Sequence, residues 1–157
     1  MLQTYVSNFS LYSDSKLESG NAQTLIQKTN LQDTLDAVVH LIKTNKVSVA
    51  KELRIRTLYD TRLPQHVDTD SRRVQQILFN LLGNAIKFSK AKQAVEFGVN
   101  IFDSRILRFT VKDFGKGIGE KDYGKIFEPF RQTGTGLTNA EGGTGLGLAI
   151  TKKLVRK

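Results

Sequence analysis

Asn80, Asn84 and Lys87 follow one another at spacings of four and three, and Arg73, Gln76 and Gly83 fall on the same helical stripe. At about 100° per residue, Ile77, Leu78, Leu81, Leu82, Ala85 and Phe88 form an apolar stripe beside it. Two amides and an ammonium bordering a buried face suit a cation-and-phosphate site. An asparagine carbonyl is a hard oxygen ligand for Mg²⁺, which keeps waters and phosphates as its other ligands. An amphipathic helix with a merely polar outer face would show the same pattern, so the stripe does not decide the matter alone.

Asp113 is the second candidate. It continues the inward alternation of Leu107, Phe109 and Val111, which drives a carboxylate toward the core. A carboxylate placed there needs a donor or a charge partner. It opens the run Asp113-Phe114-Gly115-Lys116-Gly117-Ile118-Gly119, whose glycines let the backbone turn sharply and approach a ligand closely. A carboxylate reading an exocyclic amine is one chemistry for this run, and a salt bridge to an arginine is the plainer one. The third candidate is Gly142-Gly143-Thr144-Gly145-Leu146-Gly147-Leu148, which leads into a helix. Glycines at a helix start expose N–H groups and set the positive end of the dipole against an anion, making a phosphate cradle.

Two local matches mislead. Asp113-Phe114-Gly115 spells a protein-kinase magnesium motif, but no H-R-D loop precedes it and no A-P-E follows. Gly119 to Ile126 nearly spells a P-loop, yet Ile126 stands where a hydroxyl must hold magnesium.

The elements that must position these groups are legible as periodicities. The spacing predicts a helix over 1–19, with Leu2, Val6 and Phe9 on one face and Gly20 as its stop, then a linker. A second helix runs from Leu31 to Lys43, capped by Asn30, with His40 on its outer face. Leu53 to Tyr59 is a strand and Pro64 marks a loop after it. The long helix spans Ser71 to Phe88 with Asp70 as N-cap. Two alternating strands follow, Val95 to Ile101 and Leu107 to Val111, turning at Asp103-Ser104. Ten of the thirteen glycines lie between Gly115 and Gly147, and the chain closes on a helix from Leu146. A sheet covered by helices gives an α+β fold, a two-layer α/β sandwich.

Composition narrows the rest. At 157 residues and 39% hydrophobic, the chain can bury one core. Without cysteine it can form neither a disulfide nor a thiolate metal site. No apolar run approaches the roughly 20 residues of a membrane helix. The net charge of +9 invites a nucleic-acid reading. However, no basic run has aromatic residues interleaved for base stacking, so a solvated basic face is expected and no direct nucleic acid partner.

Taken in order, these segments resemble the ATP-binding catalytic domain of the sensor histidine kinases. Asp70 to Phe88, Asp113 to Gly119, Phe127-Glu128-Pro129-Phe130 and Gly142 to Leu148 are similar to that family's N, G1, F and G2 boxes, in the same order. The resemblance implies the α/β sandwich shared with gyrase-type ATPases, with a mixed sheet covered on one face. It implies Asn84 as the Mg²⁺ ligand, Asn80 beside the phosphates, Lys87 on phosphate and Phe88 against the nucleotide, with Asn80 and Lys87 as the catalytic pair. Asp113 would accept from the adenine amino group, with Gly115, Gly117 and Ile118 shaping that wall. Phe127 and Phe130 would brace a lid from Arg131 to Glu141, and Gly143, Thr144, Gly145, Leu146 and Gly147 would close over the triphosphate. The cofactors implied are ATP and Mg²⁺.

The same resemblance divides the chain into the end of a dimerisation helix over 1–20, a linker over 21–30 and the catalytic domain over 31–157. The expected partners are a histidine-bearing dimerisation domain and a response-regulator receiver domain, in a cytoplasmic homodimer of a longer parent. Three departures stand out. Neither His40 nor His66 sits in an H-E-x-x-x-P setting, so the acceptor histidine is expected elsewhere. Asn139-Ala140-Glu141 occupy the place where the lid usually carries a base, leaving Arg131 as the nearest cation. The chain also stops at Arg156-Lys157, and the closing strands of such domains are expected to be missing. Transfer of the ATP γ-phosphoryl to histidine is the function expected, for two-component signal transduction. A gyrase- or chaperone-type hydrolase and a catalytically silent nucleotide-binding module are the alternatives.

Overall fold

The computed structural model describes residues 10–11, 25–103, 106–130 and 144–155. In chain order the elements are β1 (Ser10–Leu11), β2 (Gln27–Asn30), α1 (Leu31–Thr44), α2 (Lys46–Ala50), β3 (Arg54–Tyr59), β4 (His66–Thr69), α3 (Ser71–Phe88), β5 (Ala94–Asp103) and β6 (Ile106–Lys112). Among the described residues a 3₁₀ turn at Glu120–Asp122 precedes α4 (Gly147–Val155).

Both long helices begin where a side chain can satisfy the free N–H groups of a first turn. Asn30 Oδ1 accepts from Asp33 N–H at 3.2 Å, and Asp70 Oδ1 accepts from Arg72 and Arg73 N–H at 3.1 and 3.2 Å. Asp70 does more than cap, since its Oδ2 also accepts from Leu25 N–H at 3.1 Å. The buried face of α1 is Leu31, Leu35, Val38, Val39 and Ile42. That of α3 is Val74, Ile77, Leu78, Leu81, Leu82, Ala85 and Ile86.

These faces close on one side of a mixed sheet ordered β1-β6-β5-β3, in which β3 runs parallel to β5 and the other pairs are antiparallel. Register pairs Phe97 with Val111, Val99 with Phe109 and Ile101 with Leu107, so period-2 alternation points these chains to the helices. Glu96 points to the other face, 3.7 Å from Arg56 and 3.9 Å from Lys112 on the flanking strands. Helices and inward strand residues form one core, which is the expected two-layer α+β sandwich. Tyr59 packs edge-on against Phe97, with ring centroids 5.7 Å apart. Burial, with the Asp36 carboxylate adding to it, pushes its phenol well above the ordinary pKa.

Several expectations need correction. Ser10–Leu11 is extended and pairs with Arg108 and Leu107, not helical, and the rest of the helix expected over 1–19 lies outside the described residues. Pairing there gives partners to backbone groups on the outer edge of β6, which helical spacing in a single sequence cannot register. The linker expected over 21–30 includes β2, which pairs antiparallel with β4 from Gln27↔Thr69 to Asn30↔His66. His66 therefore opens a strand just after the loop that Pro64 marks. Four-residue strands with mixed burial carry too little alternation to be seen in sequence.

Candidate functional site

The polar stripe of α3 faces the start of α4, 67 residues further on. Asn80 Nδ2 donates to the Gly147 carbonyl at 3.2 Å and to Thr151 Oγ1 at 3.3 Å. Thr151 in turn donates to the Gly147 carbonyl at 2.9 Å. A Cβ on Gly147 would stand 3.4 Å from Asn80 Oδ1, in ordinary van der Waals contact, so the two helices pack closely here without requiring glycine. The amide nitrogen of Asn80 is thus committed to joining two helices, while no described residue donates to its oxygen. One turn along, Asn84 is half-buried, and its amide makes no hydrogen bond to a described residue.

At the far end of α3 the first glycine loop closes in. A Cβ on Gly115 would collide with the Phe88 carbonyl, lying 2.8 Å from its carbon, so only glycine fits. Asp113 Oδ1 accepts from Gly115 N–H at 2.9 Å, and among the described residues no arginine pairs with it. Among the described residues the plainer salt-bridge alternative is not built, and none of them donates to the other carboxylate oxygen. Gly117 has φ 69°, a left-handed conformation that strains other residues, and Ile118 beside it is half-buried. Two ammonium groups flank the Phe88 ring, Lys87 Nζ at 5.0 Å and Lys116 Nζ at 5.2 Å from its centre.

The second glycine loop is tied to the segment at Phe127. Gly145, also at φ 69°, accepts from Phe130 N–H at 3.1 Å through its carbonyl. Phe130 itself is at φ 62° and 76% exposed. Phe127 is half-buried, with Lys152 Nζ 5.4 Å from its ring centre. Thr144 Oγ1 accepts from Leu146 N–H at 3.4 Å, and α4 begins at once, its positive end beside Asn80. Arg131 and Gly143 lie outside the described residues.

The fold therefore brings Asn80, Asn84, Lys87, Phe88, Asp113 and Gly115 to one side of α3, with Gly147 at the start of α4 meeting Asn80. Among the described residues no group of three His, Cys, Asp or Glu side chains could hold a metal ion by itself. The neutral oxygen of Asn84 fits a metal that brings most of its ligands as phosphate and water, as Mg²⁺ does. Sequence reasoning missed Lys51 altogether. Its Nζ donates to the carbonyls of Ile86, Lys87 and Ser89 at 3.2, 2.5 and 2.9 Å, at the end of the helix bearing the site. A lone lysine just before a strand carries no pattern that announces such a contact.

Residues 69–157 match the family described as Histidine kinase-, DNA gyrase B-, and HSP90-like ATPase. This chain belongs to that family. The match contains α3 and both glycine loops, so the whole candidate site falls inside the shared ATPase domain. The chain is 37% identical over 151 residues to the signal transduction histidine-protein kinase BarA of Escherichia coli K12, covering 91% of this chain and 16% of BarA. It is 33% identical over 153 residues to hybrid signal transduction histidine kinase A of Dictyostelium discoideum, covering 91% of this chain and 7% of that protein. The chain thus spans a small fraction of these relatives.

Among solved structures, full-length ShkA in complex with AMPPNP superposes with TM-score 0.72 at 30% identity, over 87% of this chain and 27% of ShkA. The catalytic domain of the histidine kinase ThkA superposes with TM-score 0.68 at 26% identity, over 84% of this chain and 80% of that one. The histidine-kinase ATPase fold expected from the four boxes is the fold of this domain. No helix among the described residues is long and apolar enough to cross a membrane.

Proposed function

We propose that this ATPase-family domain binds Mg-ATP between α3 and its two glycine loops and delivers the γ-phosphoryl to a histidine on a separate dimerisation domain. One observation carries the reading. Asn80 joins α3 to the Gly147 end of α4 while Gly115 docks on the Phe88 carbonyl, so polar groups from three distant segments converge with ligand capacity to spare. Asn84 supplies an oxygen to Mg²⁺, which neutralises phosphate charge, and Lys87 leaves the Phe88 ring to take phosphate. Asp113 accepts from the adenine amino group with Gly117 and Ile118 lining that wall, and Phe88 packs against the nucleotide. Backbone N–H groups of Thr144, Gly145, Leu146 and Gly147 meet the triphosphate, beside Phe127 and Phe130.

Phosphoryl transfer of this kind is mostly positioning and charge neutralisation. The acceptor imidazole nitrogen bonds to the γ-phosphorus as its bond to the bridging oxygen breaks, and ADP leaves. His40 and His66 are both exposed, on α1 and at the start of β4, and neither has an acidic neighbour arranged to orient it. The acceptor is therefore supplied by a histidine-bearing partner, and the product passes to a receiver domain in a cytoplasmic, dimeric signalling protein. A hydrolase of the gyrase or chaperone type is less well supported. Such enzymes place a glutamate one turn before the magnesium asparagine, and Asn80, which stands there, cannot take a proton from water.

Two measurements test this. Calorimetry should show Mg-dependent ATP binding that Asn84→Ala abolishes while circular dichroism is unchanged, and unaltered binding removes Asn84 from the site. Incubated with labelled ATP, the chain alone should stay unlabelled, and a dimerisation domain added in trans should acquire acid-labile, base-stable label. Label on His40 or His66 of this chain overturns the architecture.

A further inference from the structure

The last turn of α3 exposes carbonyl oxygens with no partner inside the helix, and carries the negative end of the helix dipole. In this fold one side chain from outside the helix meets three of the carbonyls there. Lys51 Nζ donates to Ile86 O, Lys87 O and Ser89 O. Its backbone works on the same corner, since Lys51 O accepts from Lys92 N–H at 2.8 Å. Lys51 is itself fixed by α2, with its N–H donating to Val47 O at 3.0 Å, before the chain turns through Glu52 at φ 51° into β3.

The carbonyls that Lys51 gathers bracket the residues that meet the nucleotide. Lys87 and Phe88 lie among them, and the Phe88 carbonyl is the surface on which Gly115 rests. Gly115 N–H in turn holds the Asp113 carboxylate at 2.9 Å. We infer that Lys51 is a positioning residue for the nucleotide site: it holds the end of α3 at the height where the first glycine loop seats and Asp113 meets the base. The inference rests on the Mg-ATP reading above and adds a residue that touches neither nucleotide nor metal. A mobile helix end would shift Asp113 relative to Asn84, so base discrimination suffers along with affinity.

The test compares Lys51→Met, Lys51→Gln and Lys51→Arg with wild type, using ATP and GTP titrations well below the unfolding midpoint of each protein. Val39→Ala, a core change on α1 away from the site, is the control for general loss of stability. Groups that only orient ligands commonly cost about 10–100-fold in binding or activity when removed. Lys51→Met should weaken ATP about tenfold or more and lower the ratio of ATP to GTP affinity. Lys51→Arg, which keeps donors at that place, should restore most of both. Lys51→Gln keeps a single amide donor group and falls between them, and it serves where the methionine variant does not fold. A purely structural lysine leaves the ATP-to-GTP ratio untouched. Wild-type affinity and ratio in the Met or Gln variant, or losses no larger than those of Val39→Ala, overturn the inference while leaving the Mg-ATP reading intact. Wild-type protein that binds no ATP overturns both.

Discussion

From Asp70 to Ser89 the chain is secured along its length, whereas from Asp113 to Phe130 it is pinned at separate points. The helix has a capped start, seven buried side chains and a lysine gathering its last carbonyls. The loop segment has the Asp113–Gly115 bond, one 3₁₀ turn, a buried Ile126 and the link from Phe130 to Gly145. Phe114, Tyr123 and Phe130 stay exposed along it. The two regions border one site, so the difference separates two properties. In the proposed function the helix carries the metal and phosphate groups on the same element that carries the core, and damage there should cost stability first. In the same proposal the loop carries recognition of the base on a segment that contributes little to the core, and damage there should cost affinity first.

The largest effect should come from the helix. Leu78 is fully buried, and Leu78→Ala should cost about 2–5 kcal/mol in urea unfolding, combining lost transfer energy with a residual cavity. A cost under about 1 kcal/mol would be a surface-like value and would remove the contrast between the regions. The loop should behave in the opposite way. With Asp113 accepting from the adenine amino group as proposed, Asp113→Ala removes a charge-assisted hydrogen bond of about 1.5–3 kcal/mol, and ATP should bind about ten- to a hundredfold more weakly. Its urea midpoint should move far less than that of Leu78→Ala, and GTP should bind poorly to the parent chain. Equal ATP and GTP affinities in the parent would make Asp113 a turn-forming carboxylate and nothing more.

The smallest effect sharpens the scale. Asp60, beyond β3 and outside both regions, has its pKa lowered to about 2 by hydrogen bonds from the side chain and backbone of Arg62. A lowered native pKa means the unfolded chain binds the proton more readily. The stabilisation is therefore complete above the ordinary value of 3.8 and is lost as pH falls toward about 2. Arg62 is largely exposed, so the contribution is small and salt-sensitive. Carboxyl NMR should show the Asp60 titration moving up only part of the way toward its ordinary value in Arg62→Ala, because the backbone N–H of residue 62 still donates to it, with urea midpoints at neutral pH almost unchanged. A neutral-pH shift comparable to that of Leu78→Ala would place this ion pair among the main supports of the fold.

Much of this fold is written locally. Asp70 and a 3.6-residue apolar period define α3, since a cap and a buried stripe are properties of one continuous segment. The alternation of Val95, Phe97 and Val99, and of Leu107, Phe109 and Val111, likewise follows from a period of two against a single covered face. The glycine runs mark where backbone must come close to something. What they come close to is decided only in three dimensions. Asn80 reads as a ligand in sequence, but its nitrogen belongs to Gly147 and Thr151. Gly115 needs to be glycine because the Phe88 carbonyl is there, and Lys51 matters because three carbonyls of another element end beside it. Apolar burial repeats along the chain and leaves a periodic trace. A hydrogen bond between residues tens of positions apart depends on the docking of whole elements and leaves none.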